Sequence, residues 1–137
     1  MPATPAPLFE NEHVLVLELA DEPIVLLIRK PTRIELTELD RVWGAATRAL
    51  AAIDRRKACL LVDVSAASGR NDESFEQAFA PFRQRLGADW LEMALVVSSV
   101  PGKLQVQRYA REDDARVGVF DDREAALTAL RRAVLRR

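Results

Sequence analysis

A small polar loop in the middle of the chain carries the side chains best suited to chemistry. The loop follows the hydrophobic run 58–64. Its candidate residues are Asp63, near the end of that run, and the small and polar residues Ser65, Ser68, Gly69 and Asn71. A serine hydroxyl close to a carboxylate can accept a phosphoryl group, attack a substrate when a base activates it, or hydrogen-bond a partner. Because ligands bind near the carboxyl ends of the strands in an open α/β sheet, we expect this loop to form the functional surface of the protein.

A second loop of the same character follows the hydrophobic run 91–97. It contains Ser98, Ser99 and Gly102, with Pro101 suited to the first turn of the next helix. We therefore expect an interaction surface that uses both loops and the adjoining helices.

The sequence lacks the common signatures of enzymes and metalloproteins. It contains neither a Gly-x-Gly-x-x-Gly segment nor a Walker-type phosphate loop. One histidine, His13, and one cysteine, Cys59, are too few for a typical zinc site. Cys59 lies inside an apolar run and is interpreted as a small buried hydrophobe. We predict no catalytic residue, no metal and no cofactor.

Composition excludes further classes of protein. Of 137 residues, 49% are hydrophobic and 30% are charged, which is typical of one globular domain. The 20 basic and 21 acidic residues give a net charge of −1, which argues against nucleic-acid binding and does not oppose self-association. No apolar run is long enough to cross a bilayer. We expect a cytoplasmic protein with no nucleic-acid partner and no membrane span.

The first residues are rich in proline and lack the charged start and apolar core of a signal peptide. We expect residues 1–11 to be a flexible leader. Residues 12–137 are then expected to form a single domain.

Hydrophobic periodicity predicts strands and helices after this leader. A turn at residues 20–23 separates two apolar strands, 13–19 and 23–28, which indicates an antiparallel hairpin. Helices and strands alternate after this hairpin, so the complete predicted order is β-β-α-β-α-β-α-β-α. This order predicts an α/β fold with a single-layer mixed, mostly parallel sheet of about five strands, covered by about four helices.

The helix boundaries carry four specific expectations. Thr37 and Asp40 resemble a capping box for the first helix, and Asp121 suits the cap of the last. Pro81 predicts a kink or break near residue 80 of the second helix. Leu104 is expected on the inner face of the third helix, where Val106 fits poorly.

Four aromatic residues lie at helical spacing in the first two helices. They are Trp43, Phe75, Phe79 and Phe82. Such a stripe fills a core, or it lines an apolar pocket between sheet and helices.

Basic residues of the second and third helices could form a face beside the two polar loops. They are Arg70, Arg83, Arg85, Lys103, Arg108 and Arg111. Acidic residues lie among them, so a solvated helix surface is the simpler interpretation, and a basic face would suit an acidic partner or an anionic ligand.

Three stretches carry a resemblance to a known family. They are Ile34-Glu-Leu-Thr-Glu-Leu-Asp40, Leu60-Leu-Val-Asp-Val64 and Val117-Gly-Val-Phe-Asp-Asp-Arg-Glu-Ala-Ala-Leu127. Together with the order of elements, they resemble the STAS fold of anti-sigma-factor antagonists, and more closely the SpoIIAA-like, or STAS/SEC14-type, bacterial proteins. The resemblance covers residues from roughly 12 to 135.

The resemblance implies a non-enzymatic module that binds a protein partner or, in some relatives, an apolar ligand. In the anti-sigma antagonists, a serine or threonine in an Asp-Ser-Ser-Gly-like motif after the central strand is phosphorylated. Here Ser68-Gly69 matches the end of that motif, and Ala66-Ala67 replaces the preceding Asp-Ser. The resemblance thus implies Ser68 as the phosphoacceptor, with Ser65 second.

Three functions follow from these observations. The first is a regulatory or protein-interaction module acting through the loop after the central strand. The second is a carrier or sensor of a small apolar ligand, and the third is a small enzyme at Asp63, Ser65 and Ser68. A homodimer is compatible with all three, because the first strand is an apolar edge that could pair with another copy.

Overall fold

The computed structural model describes residues 7–67, 73–113 and 117–136. Within these ranges six strands form one sheet: β1 (Pro7–Glu10), β2 (Val14–Glu18), β3 (Ile24–Arg29), β4 (Cys59–Asp63), β5 (Glu92–Val96) and β6 (Gly118–Phe120). The helices are α1 (Leu39–Leu50), α2 (Glu73–Gly87), α3 (Val100–Glu112) and α4 (Arg123–Leu135). Ser68, Gly69, Arg70 and Asn71 lie outside the described residues.

The strands are ordered β1-β2-β3-β4-β5-β6 across the sheet. β2 is antiparallel to both of its neighbours, β1 and β3, whereas β3 to β6 run parallel, with Ile24 opposite Cys59 and Cys59 opposite Glu92. This arrangement confirms the predicted mixed, mostly parallel sheet and the hairpin that begins it. The carboxyl ends of β3, β4 and β5 therefore share one edge of the sheet.

β1 is the strand that the sequence prediction omitted. Residues 7–10 fall within the expected leader, yet they pair with β2, and Phe9 packs against the core. The sheet therefore has one strand more than predicted. The first strand of the predicted hairpin, β2, was expected at the edge of the sheet, where it could pair with another copy. That expectation is wrong, because β1 pairs with β2.

The two faces of the sheet are covered by different helices. Successive strand residues point to opposite faces, so Val25 and Leu27 contact the layer that contains α1 and α2, while Ile24 and Leu26 contact α4. We call these sides the α1–α2 face and the α4 face. Cys59 is fully buried on the α4 face, as predicted for a small hydrophobe.

The core stripe of α1 is confirmed, but its start is not the predicted one. Leu39, Trp43, Ala46 and Leu50 are all buried. A 3-10 turn over Leu36–Glu38 precedes the helix, and the capping box is formed by Glu35 and Glu38 instead of Thr37 and Asp40. The physical reason is that the Glu35 amide already donates to the Glu38 carboxylate, at 3.0 Å.

Three other boundary expectations are wrong. The break predicted near residue 80 is absent, since α2 runs through Pro81, whose ring is exposed to solvent; a kink there stays a prediction. In α3, Val106 is buried and Leu104 is 61% exposed. Gly102 approaches Val97 closely, so the side of the helix that contains Gly102 and Val106 faces the sheet. α4 is capped by Asp122, whose carboxylate accepts the amide of Ala125 at 2.8 Å.

No helix in the described part of the chain is long and apolar enough to cross a membrane.

Candidate functional site

Asp63 ends β4 at the carboxyl edge of the sheet and is 5% exposed. Its Oδ1 accepts the backbone amide of Ser65 at 2.9 Å and the Ser65 hydroxyl at 2.6 Å. Its Oδ2 accepts Nε and Nη2 of Arg123, from the first turn of α4, at 3.0 and 2.8 Å. The carboxylate therefore joins the loop after β4 to the start of α4.

These partners determine the charge of Asp63. Burial favours the neutral acid, but the hydrogen bonds from Ser65 and the guanidinium of Arg123 outweigh it and hold the pKa of Asp63 below its usual range. The group is ionised at neutral pH and both of its oxygens are engaged. It consequently positions the loop and is poorly suited to act as a general base.

The loops after β4 and β5 contact each other. The Ser98 hydroxyl donates to the Ser65 carbonyl at 3.1 Å. Ser99 caps α3 by accepting the amide of Gly102 at 3.1 Å. A side chain at position 102 would place its Cβ 2.5 Å from Cγ1 of Val97, so the close approach of α3 to β5 requires glycine. We call the surface formed by Ser65, Ser98 and Ser99 the loop edge.

An apolar ridge on α3 adjoins the loop edge. Val100 is 68% exposed and Leu104 is 61% exposed. The two residues are four positions apart in one helix and therefore lie on the same side of it. The sequence analysis assigned Leu104 to the core, so this ridge is a feature that only the structure reveals.

The structure brings some predicted site residues together and leaves others apart. Asp63, Ser65 and Ser98 form one hydrogen-bonded group, while Ser99 and Gly102 shape the start of α3. Ser68, Gly69 and Asn71 lie outside the described residues, so their predicted roles stay predictions.

Arg123 was missed because it lies 60 residues from Asp63, and only the position of α4 brings the two together. A sequence signal did exist, since Arg123 directly follows the cap residue Asp122, which places it in the first turn of the last helix.

The basic side chains of α2 and α3 do not form a free basic face where the structure describes them. Arg83 donates to both carboxylate oxygens of Asp113, at 2.7 and 2.9 Å, and stacks over Tyr109. The Arg83 guanidinium lowers the pKa of Asp113. Arg108 pairs with Glu76 at 2.7 Å, and Lys103 pairs with Asp121. These pairs support the simpler interpretation of the basic residues.

A cluster of titratable groups lies near the start of β2. The buried His13 lies 2.6 Å from the Thr32 hydroxyl through Nδ1 and 3.4 Å from a Glu38 oxygen through Nε2. Its ligand atoms group with those of Glu12 and Glu38 in a way that could hold a cation. Arg41 pairs with both carboxylates, so its guanidinium already supplies the positive charge. We assign no metal to this cluster.

A cavity of about 570 Å³ lies between the sheet and the helices of the α1–α2 face. Of the four aromatic residues named from the sequence, Trp43, Phe75 and Phe79 line it and Phe82 does not; their role as a ligand pocket stays a prediction. Ser98, Ser99 and Gly102 border it as well, so the cavity adjoins the loop edge.

Two solved structures share this fold. An uncharacterised protein of the DUF3478 family from Shewanella loihica PV-4, described as having a SpoIIAA-like fold, superposes with a TM-score of 0.65 at 14% identity, over 89% of this chain and 98% of that one. An anti-sigma factor antagonist from Mycobacterium paratuberculosis gives a TM-score of 0.59 at 17% identity, over 96% and 99% of the two chains.

These comparisons confirm the predicted resemblance at the level of the fold. No family model matches the chain, and no curated protein matches its sequence. The chain therefore has a SpoIIAA-like fold.

Proposed function

We propose that this chain is a non-enzymatic, cytoplasmic regulatory module that binds a protein partner through the loop edge and the apolar ridge of α3. The observation that carries the proposal is the exposure of Val100 and Leu104 immediately beside Ser98 and Ser99. Exposed apolar side chains bordered by polar groups are typical of a protein-binding surface. The likeness to an anti-sigma factor antagonist supports a partner that is itself a protein.

The chemistry of the loop edge supports binding more than catalysis. Asp63 is saturated by Ser65 and Arg123, and His13 hydrogen-bonds Thr32 and does not contact Ser65. Among the described residues, the Ser65 hydroxyl thus has an ionised acceptor of lowered pKa but no free base to take its proton. That arrangement favours a binding role, in which Asp63 and Ser65 hold the loop in a defined shape.

Ser65 and Ser68 remain the predicted phosphoacceptors, and we propose that Ser65 acts as a contact residue. Phosphate on Ser65 would place about −1.5 to −2 charge beside the ionised Asp63 and would displace their 2.6 Å hydrogen bond. Exposure of the purified protein to cognate cell extract and ATP, followed by phosphopeptide mass spectrometry, tests this point. Stoichiometric phosphorylation of Ser65 would contradict it.

A pair of matched leucine variants tests the interaction surface. Leu104→Arg changes the ridge on α3, and Leu135→Arg makes the same change at an exposed leucine, 84% exposed, near the end of α4. We expect quantitative affinity capture to recover a protein with the wild type and with Leu135→Arg but not with Leu104→Arg. Titration of that purified protein by calorimetry should reproduce the difference, with a loss of about tenfold or more for Leu104→Arg.

Retained binding by Leu104→Arg would contradict the proposed surface. Circular dichroism of both variants confirms that the comparison is made between folded proteins.

A further inference from the structure

The cavity on the α1–α2 face has the dimensions of a small-molecule site. Its volume of about 570 Å³ falls within the range of roughly 300–1,000 Å³ that is usual for ligand pockets. Its wall is mainly apolar where the sheet meets the helices, with Leu27, Val62 and Leu95 from the strands and Phe75, Phe79 and Val106 from the helices. This lining suits an aliphatic chain.

One residue of the wall carries a charge that the described residues do not neutralise. Arg29 is 7% exposed, and its guanidinium donates to the carbonyl oxygens of His13, Lys30 and Thr32 at 2.7, 3.2 and 3.0 Å. Those acceptors are neutral, and no carboxylate in the described part of the chain pairs with Arg29. Burial lowers the pKa of Arg29. A desolvated cation at a cavity wall favours an anion there.

We propose that this cavity binds a small amphiphile with a single anionic head and an aliphatic tail. Arg29 supplies the charge that the head requires. The aromatic and aliphatic side chains of the wall enclose the tail. Carboxylates and phosphates both have the charge and the acceptors that match an arginine. This ligand class differs from the wholly apolar ligand predicted from the sequence.

The first test compares three probes that share a ten-carbon tail: decanoate, decyl phosphate and decanol. Calorimetric titration with the wild-type protein, below the micelle concentrations of the two anions and the solubility limit of decanol, should show one site. We expect at least one of the anions to bind about tenfold or more tightly than decanol, and the tighter of the two identifies the head group. Equal binding of all three probes, or no binding of any, would overturn the proposal.

Arginine variants test the charge independently. Arg29→Lys keeps the positive charge and should retain the preference for the anion over decanol, whereas Arg29→Gln should abolish it. The ratio of the two affinities is informative even if both variants are less stable, because a general loss of structure weakens both probes together. A preference that survives Arg29→Gln would contradict the assignment.

A cavity-filling variant and a surface variant complete the design. Val62→Phe places a larger side chain in the wall and should abolish binding of every probe, with retained secondary structure as its control. Leu104 lies outside the wall, so Leu104→Arg should bind the anion as the wild type does. The ligand site and the proposed protein-binding surface can therefore fail separately.

Discussion

The two faces of the sheet differ in how completely the side chains that cover them are buried. On the α4 face, Ile24, Leu61, Val96 and Leu130 are each at most 1% exposed. On the α1–α2 face, the residues beneath α1 are equally buried, but Phe75, Phe79 and Met93 are only partly buried around the cavity. The apolar stripe of α4 covers the α4 face, and the residues there that stay partly buried, such as Leu17 and Ile28, do not border the cavity.

The helices of the other face meet through different chemistry. α2 and α3 are joined by Arg83 with Asp113 and by Glu76 with Arg108, Gln105 and Tyr109. Polar contacts of this kind hold α2 and α3 together, but they do not fill the cavity between these helices and the sheet. We therefore expect the α4 face to contribute mainly to stability and the α1–α2 face to contribute the proposed ligand binding.

The largest expected effect contrasts two leucine truncations. Leu130→Ala on the α4 face should lower the free energy of unfolding by about 3 kcal/mol, because it opens a new cavity in a closed core. Leu95→Ala, which enlarges a space that already exists, should cost about half as much. Urea denaturation measures both changes. Equal losses would remove the distinction between the faces.

The second prediction concerns the ion pair that ties α4 to the sheet. Asp63→Asn should destabilise the protein by about 2 kcal/mol at pH 7, because it removes a charge-assisted hydrogen bond to Arg123 and weakens those from Ser65.

The pH dependence of this effect has a definite sign. Because the pKa of Asp63 is lower in the folded protein than its usual value of about 3.9, the stabilisation is complete above that value and is lost as the pH falls through the folded pKa. The difference between wild type and Asp63→Asn should thus be constant from pH 7 to about pH 5 and shrink below about pH 4. A difference that grows on acidification would contradict the assignment.

The smallest expected effects concern the ion pairs of the helices. Arg83→Gln should cost about 1 kcal/mol and speed amide exchange selectively in α3, because Asp113 loses its bidentate partner. Glu22→Gln breaks an exposed pair with Arg131 of α4 and should change stability by no more than about 0.5 kcal/mol. Faster exchange throughout the chain in Arg83→Gln would show that the α2–α3 contact is not local.

Local sequence patterns predicted most of the fold. The hairpin of β2 and β3, the buried stripe of α1 and the parallel strands follow from apolar periodicity, which depends on near neighbours in the chain. β1 was not predicted, because its four residues follow a proline-rich segment and form a strand only through pairing with β2.

The site was predicted less completely, for a physical reason. The polar loop after β4 could be located from the end of an apolar run, and Trp43 could be placed on the inner side of α1. The partners of Asp63 and the acceptors of Arg29 include groups far apart in the sequence. No periodicity predicts that the described acceptors of a buried arginine will all be neutral backbone carbonyls.

The cavity also has a volumetric consequence. Unfolding eliminates the empty volume of the native state, so hydrostatic pressure should favour unfolding, and more steeply than for a protein of this size with both faces closed. Occupation of the cavity would reduce that volume change. Compression would then distinguish the empty protein from the filled one even where the two have the same secondary structure.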